Sequence, residues 1–162
     1  MKILKREMAF LCIIACLAFL MSGCSGQGGE SGVTKDIDLD AVCESLIKEL
    51  DYPEMTDVSE RYDTYYSVPD NTVKECRLFV CSSGAYPDEL AVFVLNRSDD
   101  KEKLKTAINA RKDYLLETWE DYKPEEVPKI ENAKFLEYSG YCFYLISDNT
   151  GKASEILSQY FS

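Results

Sequence analysis

The sequence predicts one α+β domain in which helices cover one face of an antiparallel four-stranded sheet. Two observations lead to this fold class. Two pairs of short apolar segments are each joined by a turn signal, and amphipathic helical stripes precede the first pair and follow both pairs. The predicted element order is therefore α-ββα-ββα. Because each helix has a single apolar stripe, one layer of helices on one sheet face is the simplest arrangement.

The first helix and the first hairpin follow from local patterns. Asp38 or Asp36 can cap a helix in which apolar residues recur at spacings of three and four. The segment Val73–Cys81 alternates, with apolar residues on both faces at its centre, and the apolar segment 90–95 follows it. Gly84 lies in the connection between them, which predicts a turn there.

The second half of the domain repeats this organisation. A helical stripe over about residues 100–120 predicts a long second helix. Segments 134–138 and 141–147 are joined by a Ser-Gly pair, which predicts a second hairpin. Asn149 or Thr150 can cap a last amphipathic helix at the C-terminus.

The start of the chain predicts a lipoprotein signal peptide. Three basic residues precede an apolar run over residues 8–21 that is shorter than the ~18 residues of a transmembrane helix. The run ends in Met21-Ser22-Gly23-Cys24, a pattern typical of a bacterial lipobox. Cleavage before Cys24 and attachment of diacylglycerol to its thiol would anchor the protein to a membrane. An ordinary secretory signal or a short uncleaved anchor is the alternative.

The predicted domain organisation has three parts. Residues 1–23 form the signal peptide, and residues 24–35, rich in Gly and Ser, form a flexible tether. Residues 36–162 form the α+β domain. This organisation predicts a domain on the extracytoplasmic face of the cell membrane.

Charge and composition limit the classes of function. The chain has 18 Lys and Arg residues against 29 Asp and Glu residues, a net charge of −11, which argues against nucleic acid as a partner. It contains no histidine, so Ser-His and Cys-His catalytic pairs are excluded. We therefore expect a protein that is not an enzyme. An enzyme that uses carboxylates alone is the alternative.

Four cysteines follow Cys24, and all of them lie in apolar stripes or strands. They are Cys43, Cys76, Cys81 and Cys142. Buried free thiols are the favoured interpretation, with two disulfides as the alternative. Their spacing does not suit a four-thiolate zinc site, and an acidic run at residues 36–40 lacks the later residues of a calcium loop. The sequence predicts no metal site and no cofactor.

Two groups of residues are candidates for binding. The loop of the first hairpin carries the first group, Gly84, Tyr86, Asp88 and Glu89, because loops on a rigid sheet often carry recognition. Tyrosines before the first strand, including Tyr65 and Tyr66, could contact a sugar or a peptide. A turn that needs Gly and Pro, and tyrosine packing at the sheet edge, are the structural alternatives.

Three segments of the domain carry a resemblance to a known family. They are residues 83–93 (SGAYPDELAVF), residues 122–133 (YKPEEVPKIENA) and residues 141–148. From about Asp38 to the C-terminus, the chain resembles a domain-of-unknown-function family of small lipoproteins from Gram-positive anaerobes. The resemblance implies surface attachment and an α+β fold, and no activity. Similar chains are sometimes encoded near membrane-bound O-acyltransferases, which implies an accessory role in modifying an envelope polymer.

These observations support a lipid-anchored extracytoplasmic protein that is an accessory or protein-binding module at the cell envelope. Its expected partners are the membrane, through a lipid on Cys24, and an envelope protein or an O-acyltransferase system. The second hypothesis is a module that binds a small ligand or an envelope glycan. The carboxylate-based enzyme is the third.

The lipidation site is directly testable. We expect Cys24→Ala to abolish incorporation of a labelled fatty acid, because the substitution removes the thiol that would be alkylated. The domain should then be released, or its signal should stay uncleaved. Metabolic labelling and membrane fractionation measure both effects, with Cys43→Ala as the matched control. Unchanged labelling of the Cys24→Ala protein would contradict the lipobox.

Overall fold

In the part of the chain that the structure describes, two antiparallel hairpins lie side by side in one sheet, and five α-helices accompany them. The computed structural model describes residue 33 and residues 35–162. The predicted signal peptide, Cys24 and most of the predicted tether lie outside the described residues. The strands are β1 (Met55–Asp57), β2 (Val73–Cys81), β3 (Glu89–Leu95), β4 (Lys134–Tyr138) and β5 (Tyr141–Ile146). The helices are α1 (Leu39–Glu49), α2 (Tyr62–Tyr65), α3 (Lys101–Tyr122), α4 (Val127–Glu131) and α5 (Ala153–Phe161).

The sheet has the strand order β1-β2-β3-β5-β4, and every neighbouring pair is antiparallel. Both predicted hairpins, β2-β3 and β4-β5, are confirmed. They join through β3 and β5, with Val92 opposite Phe143. All residues of these two central strands are buried. The α+β class is thus confirmed, with the core centred on β3 and β5.

The prediction that helices cover one sheet face is wrong, because they cover both. Helices α1 and α5 pack against one face, where Leu90, Val92 and Phe143 point. Helix α3 packs against the other face, where Ala91 and Phe93 point. The physical reason is that β3 and β5 are apolar at nearly every position. Since successive side chains point to opposite faces, both faces are apolar and each needs a covering layer.

The prediction of four strands is also wrong. The fifth strand, β1, has only three residues, and two of them are exposed. It pairs with β2, with Met55 opposite Cys81. A segment this short shows no alternation of apolar and polar residues, so its sequence carries no strand signal. The strand forms because its backbone pairs with that of β2, a contact between segments that are distant in sequence.

Helix α1 begins at the predicted cap. The Asp38 carboxylate accepts hydrogen bonds from the backbone N–H groups of Asp40 and Ala41, both at 3.1 Å. These two N–H groups have no partner within the helix, so the cap stabilises the first turn. The buried residues of α1 share one face, which packs on the sheet; they are Leu39, Val42, Cys43 and Leu46.

The four cysteines of the described residues are free and buried, so the interpretation as buried thiols is confirmed. Burial raises the pKa of the Cys43 thiol to about 12 and that of Cys142 to about 11. These thiols are therefore protonated and unreactive at neutral pH. Within the described part of the chain, no helix is both long and apolar enough to cross a bilayer.

The packing of α1 on its sheet face can be tested at Leu46, whose side chain is fully buried. We expect Leu46→Ala to lower the free energy of unfolding by about 2–5 kcal/mol, because it leaves a cavity between α1 and the sheet. Urea denaturation measures the change. Glu44→Ala, at an exposed position of the same helix, is the control and should have little effect. Equal stabilities of the two variants would contradict the packing of α1.

Candidate functional site

Two adjoining clefts open beside the β2-β3 turn. The first, here called the hairpin cleft, has a volume of about 370 Å³ and lies between residues 80–89, Tyr65 of α2 and the second half of α3. The second, here called the helix cleft, has a volume of about 420 Å³ and lies between α2 and α3. Tyr65 and Arg111 line both clefts. The two clefts therefore adjoin at these residues, and we treat them together as the candidate site.

The hairpin turn shapes one wall of this site. Gly84 adopts a positive φ of 64°, a left-handed conformation that glycine adopts without strain. Its N–H donates to the Cys81 carbonyl at 3.1 Å, and the Cys81 N–H donates to the Asp88 carbonyl at 3.1 Å. Ser83 accepts a hydrogen bond from the N–H of Ala85. The loop is thus closed on itself, and it directs Asp88 and Glu89 into the protein.

A buried ion pair forms the floor of the site. The Arg111 guanidinium donates to the Glu89 carboxylate, with Nη2 2.6 Å from Oε2 and Nε 3.2 Å from the same oxygen. The Tyr66 hydroxyl donates to Oε1 of the same carboxylate. The Glu89 and Arg111 side chains are only 2% and 12% exposed. Burial of a charge is costly unless the charge is paired and hydrogen bonded, and Glu89 satisfies both conditions.

The pKa shifts follow from this arrangement. Burial alone would lower the pKa of the Arg111 guanidinium, but the adjacent Glu89 carboxylate outweighs burial and raises it. Burial raises the pKa of Tyr66 well above its usual value, and the negative charge of Glu89 adds to the effect. Arg111 is thus charged and Tyr66 is neutral at every physiological pH. The Tyr66 hydroxyl therefore acts as a permanent hydrogen-bond donor to Glu89.

Two tyrosine rings flank Arg111. Its Cζ atom lies 5.0 Å from the centre of the Tyr65 ring and 5.7 Å from that of the Tyr114 ring. Both distances are within the range of a cation–π interaction. Tyr114 is 59% exposed, so this ring lies at the solvent edge of the helix cleft.

A second charge cluster lies on the outer side of the hairpin turn, where one ammonium group meets three carboxylates. The Lys129 Nζ atom is 2.9 Å from Asp88, 2.9 Å from Glu126 and 3.2 Å from Asp148. Asp88 and Lys129 are nearly buried, with 4% and 7% of their side chains exposed. Lys129 therefore connects the hairpin loop, the turn before α4 and the segment after β5.

The shared ammonium does not fully compensate each carboxylate. Burial raises the pKa of Asp88, and Lys129 offsets only part of this effect. Burial would also raise the pKa of Glu126, but hydrogen bonds from Lys129 and Lys123 outweigh it and lower the pKa. The pKa of Lys129 itself is raised: burial opposes its charge, but the carboxylates around it prevail. The charge of Asp88 is thus less well stabilised than that of Glu126.

Tyr86 lines the hairpin cleft and contacts two lysines of the second charge cluster. Its ring is 43% exposed, and it lies 4.1 Å from the Lys123 Nζ atom and 5.3 Å from that of Lys129. Lys123 also contacts Glu126 at 3.1 Å. The side of the ring toward these lysines is therefore covered by cations.

The structure brings the sequence-predicted residues together. Five of them line the hairpin cleft: Gly84, Tyr86, Asp88, Glu89 and Tyr65. Tyr66 differs, because it is fully buried and packs edge-on against Phe93 at 5.1 Å. Its hydroxyl therefore holds Glu89 through a hydrogen bond, and its buried ring offers no surface for a ligand.

Sequence reasoning missed the residues that complete the site. Arg111 and Trp119 come from α3, while Lys123 and Lys129 come from the segment after it. One signal was present, because Arg111 lies in the apolar stripe of α3 and Glu89 begins an otherwise apolar strand. Two opposite charges in buried positions need each other as partners. Lys123 and Lys129 showed no such signal, because they lie in a polar segment where lysine side chains are ordinarily exposed.

The site offers binding groups, and its acidic and basic groups are paired. Both buried carboxylates contact a cation, Glu89 at Arg111 and Asp88 at Lys129. Residues 35–162 contain no group of three or more His, Cys, Asp or Glu residues that could hold a metal ion. The other groups that line the clefts are tyrosine rings, serine hydroxyls and the part of the Arg111 guanidinium that does not contact Glu89.

The fold and the site define an α+β domain with helices on both faces of its sheet and a side cleft of paired charges. The chain belongs to the DUF4358 family, described as a domain of unknown function, whose model matches residues 48–147. The predicted resemblance to a domain-of-unknown-function family is confirmed to this extent. The matched range contains all five strands and every residue of the two clefts. No curated protein and no solved structure matches the chain.

The Lys129 cluster generates a pH-dependent prediction. We expect Lys129→Met to lower the free energy of unfolding by about 3–5 kcal/mol at pH 7, because Asp88 then stays buried without its cation. An acid whose folded-state pKa is raised destabilises the fold above its unfolded-state pKa, and this penalty disappears as the acid becomes protonated. The difference from wild type should therefore shrink as the pH falls from 7 towards 4.

Urea denaturation across this pH range measures the effect. Lys105→Met is the matched control, since Lys105 pairs with Glu102 at the surface and an exposed pair contributes at most about 1 kcal/mol. A stability difference between Lys129→Met and wild type that stays constant with pH would contradict the role of Asp88.

Proposed function

We propose that this protein is a lipid-anchored, extracytoplasmic, non-catalytic module that binds an envelope protein through the two clefts. The observation that carries the proposal is the pairing of charges in the site. Glu89 is held by Arg111 and Tyr66, and Asp88 is held by Lys129. A general base or acid needs a proton that it can take or give near neutral pH. Charges that are fixed in pairs instead provide a stable shape with specific donors.

The mode of attachment supports an envelope location. Cys24 would carry the lipid, and a tether up to residue 35 would lead to the domain, whose first helix begins at Leu39. A flexible tether of about ten residues spans roughly 17–19 Å. Such a tether holds the domain close to the membrane while allowing it to reorient. Partners within reach are then envelope proteins, including those of an O-acyltransferase system.

Binding of a small ligand or an envelope glycan is the second candidate. The cleft volumes of about 370 and 420 Å³ favour it, because they fall within the ~300–1,000 Å³ range of small-molecule sites. Sugar binding commonly uses an open aromatic face. Here cations lie over the rings of Tyr65, Tyr86 and Tyr114, which leaves fewer free faces for stacking. This observation favours the protein partner.

Site-directed photo-crosslinking in cells tests the proposal. A photoreactive residue is placed at Tyr86 or at Tyr114, both of which are exposed at the clefts. We expect both positions to yield an adduct with the same envelope protein, because both would contact one partner. The matched control position is Gln159, which is exposed on α5 behind the opposite sheet face. It should give no such adduct.

Two results would overturn the protein-binding proposal. The first is an equal yield of the same adduct from Gln159, which would show that capture does not depend on the clefts. The second is the absence of a reproducible adduct from Tyr86 and Tyr114 together with measurable binding of envelope glycan. That second result would favour the glycan-binding candidate.

A further inference from the structure

The Arg111 guanidinium has two hydrogen-bonding edges, and the protein uses one of them. Its Nε and Nη2 atoms donate to Glu89, which occupies the side-on edge. Within residues 33 and 35–162, no acceptor is bonded to Nη1. The end-on edge, formed by Nη1 and the second hydrogen of Nη2, therefore keeps its donors. Arg111 lines both clefts, so a ligand in either cleft would lie next to its side chain.

The guanidinium is held in position before any ligand arrives. The buried Glu89 carboxylate fixes one edge, and Tyr66 in turn fixes that carboxylate. The centres of the Tyr65 and Tyr114 rings lie 5.0 and 5.7 Å from the Arg111 Cζ atom. A charged group fixed in this way loses little side-chain entropy when a ligand binds. An arginine with one edge held and one edge open is thus a preorganised anion receptor.

The charge balance favours a carboxylate over a phosphate. The end-on edge offers two nearly parallel N–H bonds, which match the two oxygens of a planar carboxylate. A carboxylate carries one negative charge, and the guanidinium lies closer to it than Glu89 does. A phosphate dianion would bring twice the charge towards Glu89 and into a protein with a net charge of −11. The site therefore suits a single negative charge.

The same surroundings favour a peptide over a sugar acid. The rings that could stack on a sugar are those of Tyr65, Tyr86 and Tyr114, and each already has a cation over it. The hairpin cleft also contains the apolar surfaces of Leu115 and Trp119 beside the Ser82 and Ser83 positions. Apolar walls with a few hydroxyl groups are suited to the side chains and backbone of a peptide.

We propose that the end-on edge of Arg111 binds a carboxylate of a peptide segment in the partner protein, with the adjoining residues of that segment in the hairpin cleft. This inference rests on the proposed binding function and adds the chemistry of the ligand. The carboxylate is the C-terminal group of the segment or the side chain of an Asp or Glu. Arg111 provides the charge and two donors, and Tyr114 limits the movement of the guanidinium.

Trp119 allows a direct measurement. It is the single tryptophan of the chain and lines the hairpin cleft together with Arg111, so its fluorescence reports on this site. The full chain in detergent is titrated with N-acetylglycine and, separately, with N-acetylglycinamide, its neutral counterpart. We expect a saturable change with the acid and at least ~10-fold weaker binding of the amide, which cannot form the charged bidentate pair. Glucuronate and glucose form a second pair of probes.

Two variants and a control connect the signal to Arg111. Arg111→Lys keeps the charge but loses the planar two-donor edge, and should weaken binding of N-acetylglycine by about tenfold. Tyr114→Ala removes an exposed ring and leaves the Glu89 pair in place, so it should fold normally and weaken binding several-fold. Arg97→Lys, at an exposed pair with Asp99, is the control and should bind like wild type. Circular dichroism checks that each variant is folded.

The outcomes separate this inference from the proposed function. Equal binding of the acid and the amide, or no saturable change with either, would overturn the assignment of a peptide carboxylate. Specific crosslinks from Tyr86 and Tyr114 would still support the binding function in that case. Discrimination between glucuronate and glucose without discrimination between the acetylglycine probes would replace the peptide with an acidic glycan. Unchanged binding by folded Arg111→Lys and Tyr114→Ala would overturn the assignment to Arg111.

Discussion

The architecture depends on one constraint, which is that the two central strands are apolar on both sides. Strands β3 and β5 are buried at every residue, so each sheet face must be covered by helices. Helix α3 covers one face. A helix of 22 residues is about 33 Å long, whereas a strand of seven residues spans about 23 Å. The second half of this long helix carries Arg111, Leu115 and Trp119, which line the hairpin cleft.

Glu89 lies where the core meets the cleft. It is the first residue of β3, and its side chain is directed toward α3 and away from solvent. Its backbone carbonyl also accepts a hydrogen bond from the Tyr52 hydroxyl at 3.2 Å. One residue thus joins the segment after α1, the start of β3, the end of α2 through Tyr66 and the middle of α3 through Arg111. A charge with so many partners stabilises the fold and shapes the cleft floor at the same time.

Much of the fold could be predicted because its signals are local. The β2-β3 and β4-β5 hairpins have turn residues between apolar segments, and the Asp38 cap lies beside the first turn of α1. Strand β1 could not be predicted, since it exists through its pairing with β2. The candidate site divides in the same way. The loop residues from Gly84 to Glu89 are adjacent in sequence, but Arg111 and Lys129 reach them only through helix packing. Contacts of this kind have no fixed separation in sequence, so no sequence pattern reveals them.

The ion pairs of Lys129 restrict the movement of the hairpin loop that a partner would contact. It bonds to Asp88, Glu126 and Asp148, so three segments that are distant in sequence are held at one point. A loop held in this way has few conformations to lose on association, and its ordering takes little from the free energy of binding. The hairpin wall should therefore keep its shape between the free and bound states. The partner's segment would then have to adopt the conformation that fits this surface, because the surface does not adapt to it.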